Sequence, residues 1–524
     1  MLDPSVERGL ESYSMATRQL FIGIDSGTQS TKALVVDGTS GNVLAESAAA
    51  YGLIPGLGAG AKEQHPHTWK EATKRSITRA LKACKAKKEE VVGIGVSGQQ
   101  HGFVPMDKHG EVIRPAKLWC DTSTAKECEE IMERLGGSKA TLKALGNAIL
   151  PGFTASKILW LKKHEPKNYK KLATILLPHD YLNHWFTGRA VMEYGDASGT
   201  ALLNVRTRTW CESALKAIDP GLKQKLPELI SSDQPAGHLQ ASTAKELGLS
   251  TKVWVSAGGG DNMMGAIGTG NTRPGMVTAS FGTSGTIYAC AGKPVVDPKG
   301  EIAAFCDSTN QWLPLLCTMN VTVATELVRS ELGWSHEQFS RAAAKVPAGS
   351  DGLLLLPYLE GERTPNIPHG TGVWLGYRAA TASPGHRARA AMEGVTLGMN
   401  YGLNRLRKLG VRPSQIRVTG GGAKSKVWRQ IMADVFQAEV ITLKVSEGAA
   451  YGAALQAMWC WHNQQGKSTS IDALTDRFVR VHRQERATPN PKHASVYQEL
   501  QSMQDTSGKA LLRLFDQHRG FTQG

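Results

Sequence analysis

No two of the eight cysteines, at 84, 120, 128, 211, 290, 306, 317 and 460, stand in a Cys-x-x-Cys spacing. Neither a zinc ribbon nor a thioredoxin-type centre is therefore indicated, and the scattered thiols suit a reduced compartment. Cys120, between Trp119 and Asp121, reads as a buried, inert thiol. No apolar run is long enough to span a bilayer. The first stretch, Met1 to Arg18, is polar and mixed in charge, unlike a signal or transit peptide. The expected location is cytoplasmic, with 1–18 as a tail and Met15 as an alternative start. The two commonest nucleotide loops are missing as well. Gln465-Gly-Lys-Ser468 has the end of a P-loop, but Trp461 occupies its first glycine place and no buried strand precedes it. The glycines between Pro55 and Gly60 lack dinucleotide-fingerprint spacing. The formal charge is +15. Its basic residues are dispersed, and the denser runs, Lys82–Lys88 and Lys162–Lys171, fall on expected helix faces without interleaved aromatics. That pattern is a solvated surface rather than a nucleic-acid interface.

What remains is an ordinary globular composition, 41% hydrophobic and 20% charged over 524 residues, enough for two to four domains. The chain is organised around Phe21-Ile-Gly-Ile-Asp-Ser-Gly-Thr-Gln-Ser-Thr-Lys32. An apolar strand ends at Asp25, a Ser26-Gly27-Thr28 turn follows, and a second strand runs from Ser30 to Val36. A carboxylate beside a turn of free N–H groups and hydroxyls suits a magnesium-bound polyphosphate. The same pattern also fits a plain β-hairpin. A third strand is expected over Val43–Ala50, then an amphipathic helix over His67–Lys85. Val91–Ser97 is continuously apolar, the mark of a strand buried on both faces. It delivers Gly98-Gln-Gln-His-Gly102 at its carboxyl end, where open α/β sheets bind ligands. Two amides and an imidazole there suit the hydroxyls of a polyol; a plain turn with a satisfied histidine is the alternative. Between Leu118 and Trp210, helical and irregular segments alternate around the polar clusters Asp121–Thr124 and Gly195-Asp-Ala-Ser-Gly199.

Thr251–Gly260 reads as another buried strand, followed by Asp261-Asn262 and a small-residue helix over Met263–Ile267. Asp261 there is either a helix cap or a general base surrounded by bare glycine. Met276–Ala289 repeats the strand, Gly-Thr turn, strand device of the opening. Two such hairpins half a chain apart imply two similar domains facing each other across a cleft. Further on, Glu360-Gly-Glu-Arg-Thr-Pro365 is a polar loop. Gly420-Gly-Gly-Ala-Lys-Ser425 joins a strand to a helix over Val427–Phe436, a turn against which a nucleotide can lie. The segment after about Thr469 is polar and expected to be peripheral.

Together these motifs resemble the FGGY carbohydrate kinases, over about Leu20 to Trp459. The match rests on Asp25-Ser-Gly-Thr-Gln-Ser30, Gly258-Gly-Gly-Asp-Asn262, Ser280-Phe-Gly-Thr-Ser-Gly285 and Gly420-Gly-Gly-Ala423. Within the family, Gly98–Gly102, Leu118-Trp-Cys-Asp121, Pro151-Gly-Phe-Thr154 and Glu360–Pro365 are similar to the xylulokinases, although many bacterial ones carry Met at the place of Gln100. The resemblance implies an α/β fold of two actin/hexokinase-like (ribonuclease H-like) domains flanking an ATP and sugar cleft. It implies a tail over 1–18, a sugar-side domain over 19–256, an ATP-side domain over 257–470 and a peripheral segment over 471–524. The implied activity is ATP- and Mg2+-dependent phosphorylation of a ketose, D-xylulose, in pentose catabolism. Asp261 would be the base and Asp25 the metal residue. Gln100, His101, Asn262 and Trp119 would bind sugar beside Asp261. Thr28, Gln29, Ser30, Lys32, Gly282, Thr283, Gly421, Gly422 and Ser425 would bind ATP. The implied partners are the small-molecule ketose and ATP, with no nucleic acid and no membrane, and with room for a homodimer. Another ketose such as D-ribulose, or an actin-fold ATPase without a sugar acceptor, stays open.

Overall fold

The computed structural model describes residues 18–445 and 447–523. The expected tail therefore lies, apart from Arg18, outside the described residues. The first half opens with β1 (Leu20–Ser26), β2 (Ser30–Asp37) and β3 (Val43–Ala50), an antiparallel meander. Helix α1 (Pro66–Ala83) then carries the chain to β4 (Val91–Gly98), which pairs parallel with β1. Trp69, Ala72, Ile77 and Ala80 of α1 are buried, on the face that helical spacing predicts. The helix ends at Ala83, so most of the Lys82–Lys88 run lies beyond it. Two further helices matter for the site, α2 (Thr154–His164) and α3 (Pro178–Thr187). Strands β5 (Pro235–His238), β6 (Trp254–Ser256) and the short β7 (Gly259–Gly260) complete the sheet, and α4 (Asp261–Gly268) follows at once. The order is β5-β6-β4-β1-β2-β3, with β7 alongside β4.

The second half repeats this plan. Strands β8 (Met276–Phe281), β9 (Gly285–Ala289), β10 (Ala303–Cys306) and β11 (Trp312–Thr318) come first, then β12 (Gln415–Thr419) and β13 (Glu439–Thr442). The sheet order is β10-β11-β9-β8-β12-β13. Set β3-β2-β1-β4-β6 beside β11-β9-β8-β12-β13 and each neighbouring pair has the same sense, antiparallel twice and then parallel twice. The echo between the two Gly-Thr turns is therefore a duplication of the whole five-stranded core. Helices α5 (Thr322–Glu331), α6 (Pro384–Lys408), α7 (Lys426–Phe436) and α8 (Gly448–Gln464) belong to this half. The 471–524 segment contains α9 (Ala494–Ala510), and Tyr497 and Leu500 of this helix, with Phe515 beyond it, join the apolar core of the second half. Its polar composition hides this layer because only one stripe of the helix faces inward. No helix among the described residues is long and apolar enough to cross a membrane.

The halves are joined by crossed helices. After the first sheet, α4 sends Met263 and Ala266 into a core shared with Tyr288, Leu313 and Leu315 of the second sheet. After the second sheet, α8 returns and packs Ala450, Ala453 and Ala454 among Phe21, Leu34 and Val36 of the first. Where they cross, the backbones nearly touch. A Cβ on Gly452 would lie 1.8 Å from the Met264 carbonyl, and one on Gly268 would lie 1.8 Å from that of Gly448. Gly452→Val forces this crossing apart. It should lower stability by at least about 1–3 kcal/mol, the scale of overpacking, seen as a fall in Tm by calorimetry.

Candidate active site

Strand pairing brings the two carboxylates together. Asp25 of β1 sits opposite Ser97 of β4, and on the other side Ser97 faces Gly259 of β7, two residues before Asp261. Asp25 and Asp261 therefore flank one buried strand at its carboxyl end. Ser97 Oγ donates to Asp25 Oδ1 at 3.0 Å. Burial raises the pKa of Asp25, while Ser97 and nearby Lys32 oppose the rise. Asp261 goes further. Burial, then the charges of Asp25 and Asp196, push it up to about 7, against hydrogen bonds from Asn262. Its Oδ1 accepts from the Asn262 backbone at 2.8 Å and from Asn262 Nδ2 at 3.0 Å. Asp261 is the first residue of α4, and the N-cap is Gly260, so it is not the cap residue itself.

Gln100 and His101 extend the site from β4. Gln100 Oε1 accepts from Asn262 Nδ2 at 2.9 Å, tying the predicted sugar residues to one another and to Asp261. His101 adopts a left-handed backbone, φ +63°, which costs a non-glycine residue roughly 1–2 kcal/mol. Its carbonyl is gripped by Thr154 Oγ1 at 3.1 Å and by the buried Lys157 ammonium at 2.8 Å, both on α2. Lys157 also donates to the Gly152 carbonyl at 2.7 Å, and burial pulls its pKa down to about 7. The imidazole packs against Phe153 in a tilted contact, 4.6 Å between ring centres, and burial with Lys157 pushes its pKa down to about 3. His101 is therefore neutral, and its Nδ1 has no hydrogen-bond partner.

The first phosphate turn stands on a frame of buried amides: Gln64, which the sequence motifs did not single out, and Gln99 of the Gly98–Gly102 motif, whose amide serves this turn. Gln64 Nε2 donates to the Thr28 backbone carbonyl at 2.7 Å, Gln99 Nε2 to Gln64 Oε1 at 3.1 Å, and the Trp69 indole to the same oxygen at 2.9 Å. Thr28 Oγ1 donates to Gln99 Oε1 at 3.1 Å and accepts from the exposed Trp119 indole at 2.9 Å. Trp119 thus touches the phosphate turn directly. Gln29 is exposed at the tip, and the Ser30 carbonyl closes the turn on Gly27 N–H at 3.0 Å. Lys32 is paired with Glu447, just before α8, at 2.5 Å, so its charge is engaged within the protein.

In the second half, Gly282 and Thr283 form the matching turn. Their carbonyls accept the Thr322 and Val321 N–H groups at 2.9 and 3.1 Å, seating α5 against it. The glycine-rich loop after β12 is pressed onto this turn. Gly420 has φ +87°, and a Cβ there would lie 2.6 Å from the Phe281 backbone. Gly421 faces open space, whereas Gly422 is buried against Phe281 and Trp428. Ser425 caps α7, accepting from Trp428 N–H at 3.3 Å, and meets Ser340 at 3.1 Å. Its hydroxyl already has a structural role. Cys120 is partly buried, and burial raises its pKa, as an unreactive thiol requires.

Besides Gln64, sequence reasoning missed three groups. Gln456 of α8 clamps the loop before Asp261, accepting from Gly258 N–H at 2.8 Å and donating to the Gly258 carbonyl at 3.0 Å. Lys157 lies three residues past the Pro151–Thr154 motif and received no role. Asp196, in the noted Gly195–Gly199 cluster, is wholly buried close enough to raise Asp261.

The Asp261 carboxyl holds its proton in the fold at a pH where the unfolded chain, near 3.8, has lost it. Stability is therefore lost as pH rises from about 4 to about 7. Asp261→Asn should raise Tm at pH 8, with the gain vanishing toward pH 4, as read by calorimetry.

Comparisons with known proteins agree with this geometry. Residues 20–268 match the N-terminal domain, and residues 277–461 the C-terminal domain, of the FGGY family of carbohydrate kinases. The chain is 41% identical over 485 residues to a xylulose kinase of Haemophilus influenzae, covering 91% of this chain and 97% of that protein. A solved xylulose kinase from Rhodospirillum rubrum superposes with a TM-score of 0.86 at 27% identity, covering 95% of this chain and all of that one. A gluconate kinase from Lactobacillus acidophilus, 24% identical and covering 96% of this chain and 100% of that one, reaches a TM-score of 0.88, so the fold alone does not choose the sugar. Two matched domain models, a duplicated sheet and paired carboxylates at one strand end lead to one conclusion: the chain belongs to the FGGY family of carbohydrate kinases.

Proposed function

We propose that the enzyme phosphorylates D-xylulose at its terminal hydroxyl, with ATP as donor, giving D-xylulose 5-phosphate. The observation that carries the reading is the pairing of Asp25 and Asp261 beside the unsatisfied polar atoms of Gln100 and His101. A pure ATPase has no use for that second feature. The choice of D-xylulose draws support from the Haemophilus influenzae relative, a xylulose kinase.

FGGY carbohydrate kinases use ATP with Mg2+. The floor of the cleft suits such a cation: Asp25, Asp261 and Asp196 concentrate negative charge that burial makes costly. Mg2+ prefers one or two carboxylates together with water and phosphate oxygens, and Asp25 would supply the carboxylate. Bound there, the ion would neutralise charge on the phosphates and thereby strengthen the γ-phosphorus as an electrophile. The chain's own groups do the rest. Asp261 accepts the proton of the attacking hydroxyl. Gln100, His101 and Asn262 orient the sugar, and the exposed Trp119 closes over Thr28. Backbone and hydroxyl groups of Thr28, Gln29 and Ser30 on one side, and of Gly282 and Thr283 on the other, receive the phosphates. Gly421, Gly422 and Ser425 border the adenosine, and Lys32 steadies the first hairpin through Glu447. Phosphoryl transfer needs little more than this positioning and charge neutralisation. In this reading 19–256 carries the sugar, 257–470 the nucleotide, and 471–524 backs the second half.

ADP release with Mg-ATP, followed over D-xylulose, D-ribulose, L-ribulose, glycerol and D-gluconate, tests the proposal. A maximum in kcat/KM for D-xylulose is expected; a maximum elsewhere changes the sugar, and sugar-independent release removes the kinase reading. Asp261→Ala should abolish transfer while nucleotide binding persists, and activity within tenfold of wild type would remove Asp261 as base. Because a protonated Asp261 cannot accept the hydroxyl proton, kcat/KM for the ketose should fall with a slope of one proton below about pH 7.

A further inference from the structure

Asp196 has an arrangement that structural duty alone does not explain. Its Oδ2 accepts from His179 Nδ1 at 2.7 Å, and His179 Nε2 lies 2.9 Å from Asp180 Oδ1. Burial would push the imidazole pKa down, but the carboxylates on both sides raise it well above its ordinary value. His179 is thus a buried cation that fixes one oxygen of Asp196. The other oxygen, Oδ1, is buried and has no hydrogen-bond partner.

Gln100 Nε2 and His101 Nδ1 are among the other buried polar atoms in this condition. The amide of Gln100 is oriented by its other end, since Oε1 accepts from Asn262. Its nitrogen lies near Asp196, close enough to oppose the rise that burial imposes on that carboxyl. Glycines let the backbone come close to both side chains, where any Cβ would displace them. A Cβ on Gly199 would lie 2.4 Å from His101 Nδ1, and one on Gly260 would lie 2.6 Å from Gln100 Cγ. An unpaired buried polar atom costs roughly 1–3 kcal/mol. Three together, mixing donor and acceptor, form a site awaiting a molecule that both donates and accepts.

We propose that Asp196 is a sugar-binding, specificity-determining residue: its free oxygen accepts a hydroxyl proton of the ketose whose oxygen accepts in turn from Gln100 Nε2. This rests on the kinase reading above. Burial raises the Asp196 pKa, and the His179 cation opposes that rise and points the carboxyl, acting as a positioning residue. A hydroxyl fits this slot because it donates and accepts at once. A methylene or a deoxy carbon leaves the carboxylate buried and unpaired, which is how polar sites reject analogues lacking a hydroxyl.

The experiment compares wild type, Asp196→Asn and Gln100→Met across D-xylulose and its mono-deoxy analogues, by ADP release and by Tm. Asp196→Asn should raise KM for D-xylulose by about 10- to 150-fold, the scale of a charged hydrogen bond, while KM for ATP stays within about twofold of wild type. Wild type should discriminate against one deoxy analogue by a similar factor, and both variants should lose that discrimination at the same carbon. Full retention of discrimination by the variants, or loss at different carbons, overturns the proposal. If Asp196→Asn does not fold, Gln100→Met and the wild-type analogue series decide alone, and an undiscriminating wild type overturns it. Failure of the kinase reading looks different, since wild type then releases no ADP in response to any sugar.

Discussion

The crossing of α4 and α8 is the contact on which the rest of the molecule depends. Each helix leaves one sheet and packs on the other, so neither half completes its core without its neighbour. Gly268 and Gly452 let the two backbones meet without side chains between them. The same crossing carries catalytic consequence. Asp261 is the first residue of α4, and Gln456 of α8 fixes the loop that delivers it. The position of the proposed base is therefore set by the joint between domains, and a change in their relative angle is felt where the sugar hydroxyl would lie.

The cleft is assembled at a cost to stability. Asp25, Asp196 and Asp261 are gathered where burial penalises their charge, and the polar atoms of Gln100, His101 and Asp196 go unpaired. His101 is further held in a left-handed backbone by Thr154 and Lys157. Strain of this sort persists only where surrounding packing over-determines it. Here that packing is visible in the wholly buried Lys157, His179 and Phe103. The electrostatic penalties are of a kind that bound ligands relieve: a cation for the carboxylates, hydroxyls for the orphaned atoms.

What could be read from the sequence was local. Apolar runs ending in Asp25 and in Gly98-Gln-Gln-His-Gly102 marked strand ends, and the structure places both there. The repeated Gly-Thr turn announced the duplicated sheet, because hairpin chemistry is written in consecutive residues. What escaped was contact across long separations. Gln64 supports a turn 36 residues away, and Gln456 supports a loop 198 residues away. A lone glutamine, on a strand or on a helix, carries no mark of such a partner. Asp196 sat in a cluster recognised as polar, but its bond to His179 depends on how α3 lies against it. The inward stripe of α9 was hidden for a similar reason, since a few apolar residues in a polar helix look like surface until their neighbours are known.

Duplication explains the architecture, and the way the copies differ explains the chemistry. Align the hairpins on their Gly-Thr turns and Asp25 falls opposite Ser280. The carboxylate exists in one copy only, and Asp261 too follows the first sheet, by way of β7. The second copy presents neutral groups instead: the Gly282-Thr283 turn and the Gly421 backbone. In the proposed reaction this segregation is what phosphoryl transfer asks for. Anionic carboxylates placed around the triphosphate on both sides would repel it; placed on one side, they mark where a cation and a departing proton belong. The other side offers N–H groups and hydroxyls, which hold phosphate oxygens without competing for the metal. One fold used twice supplies the symmetric clamp, and a few unshared acidic residues give it a direction, from nucleotide on the neutral side to sugar on the acidic one.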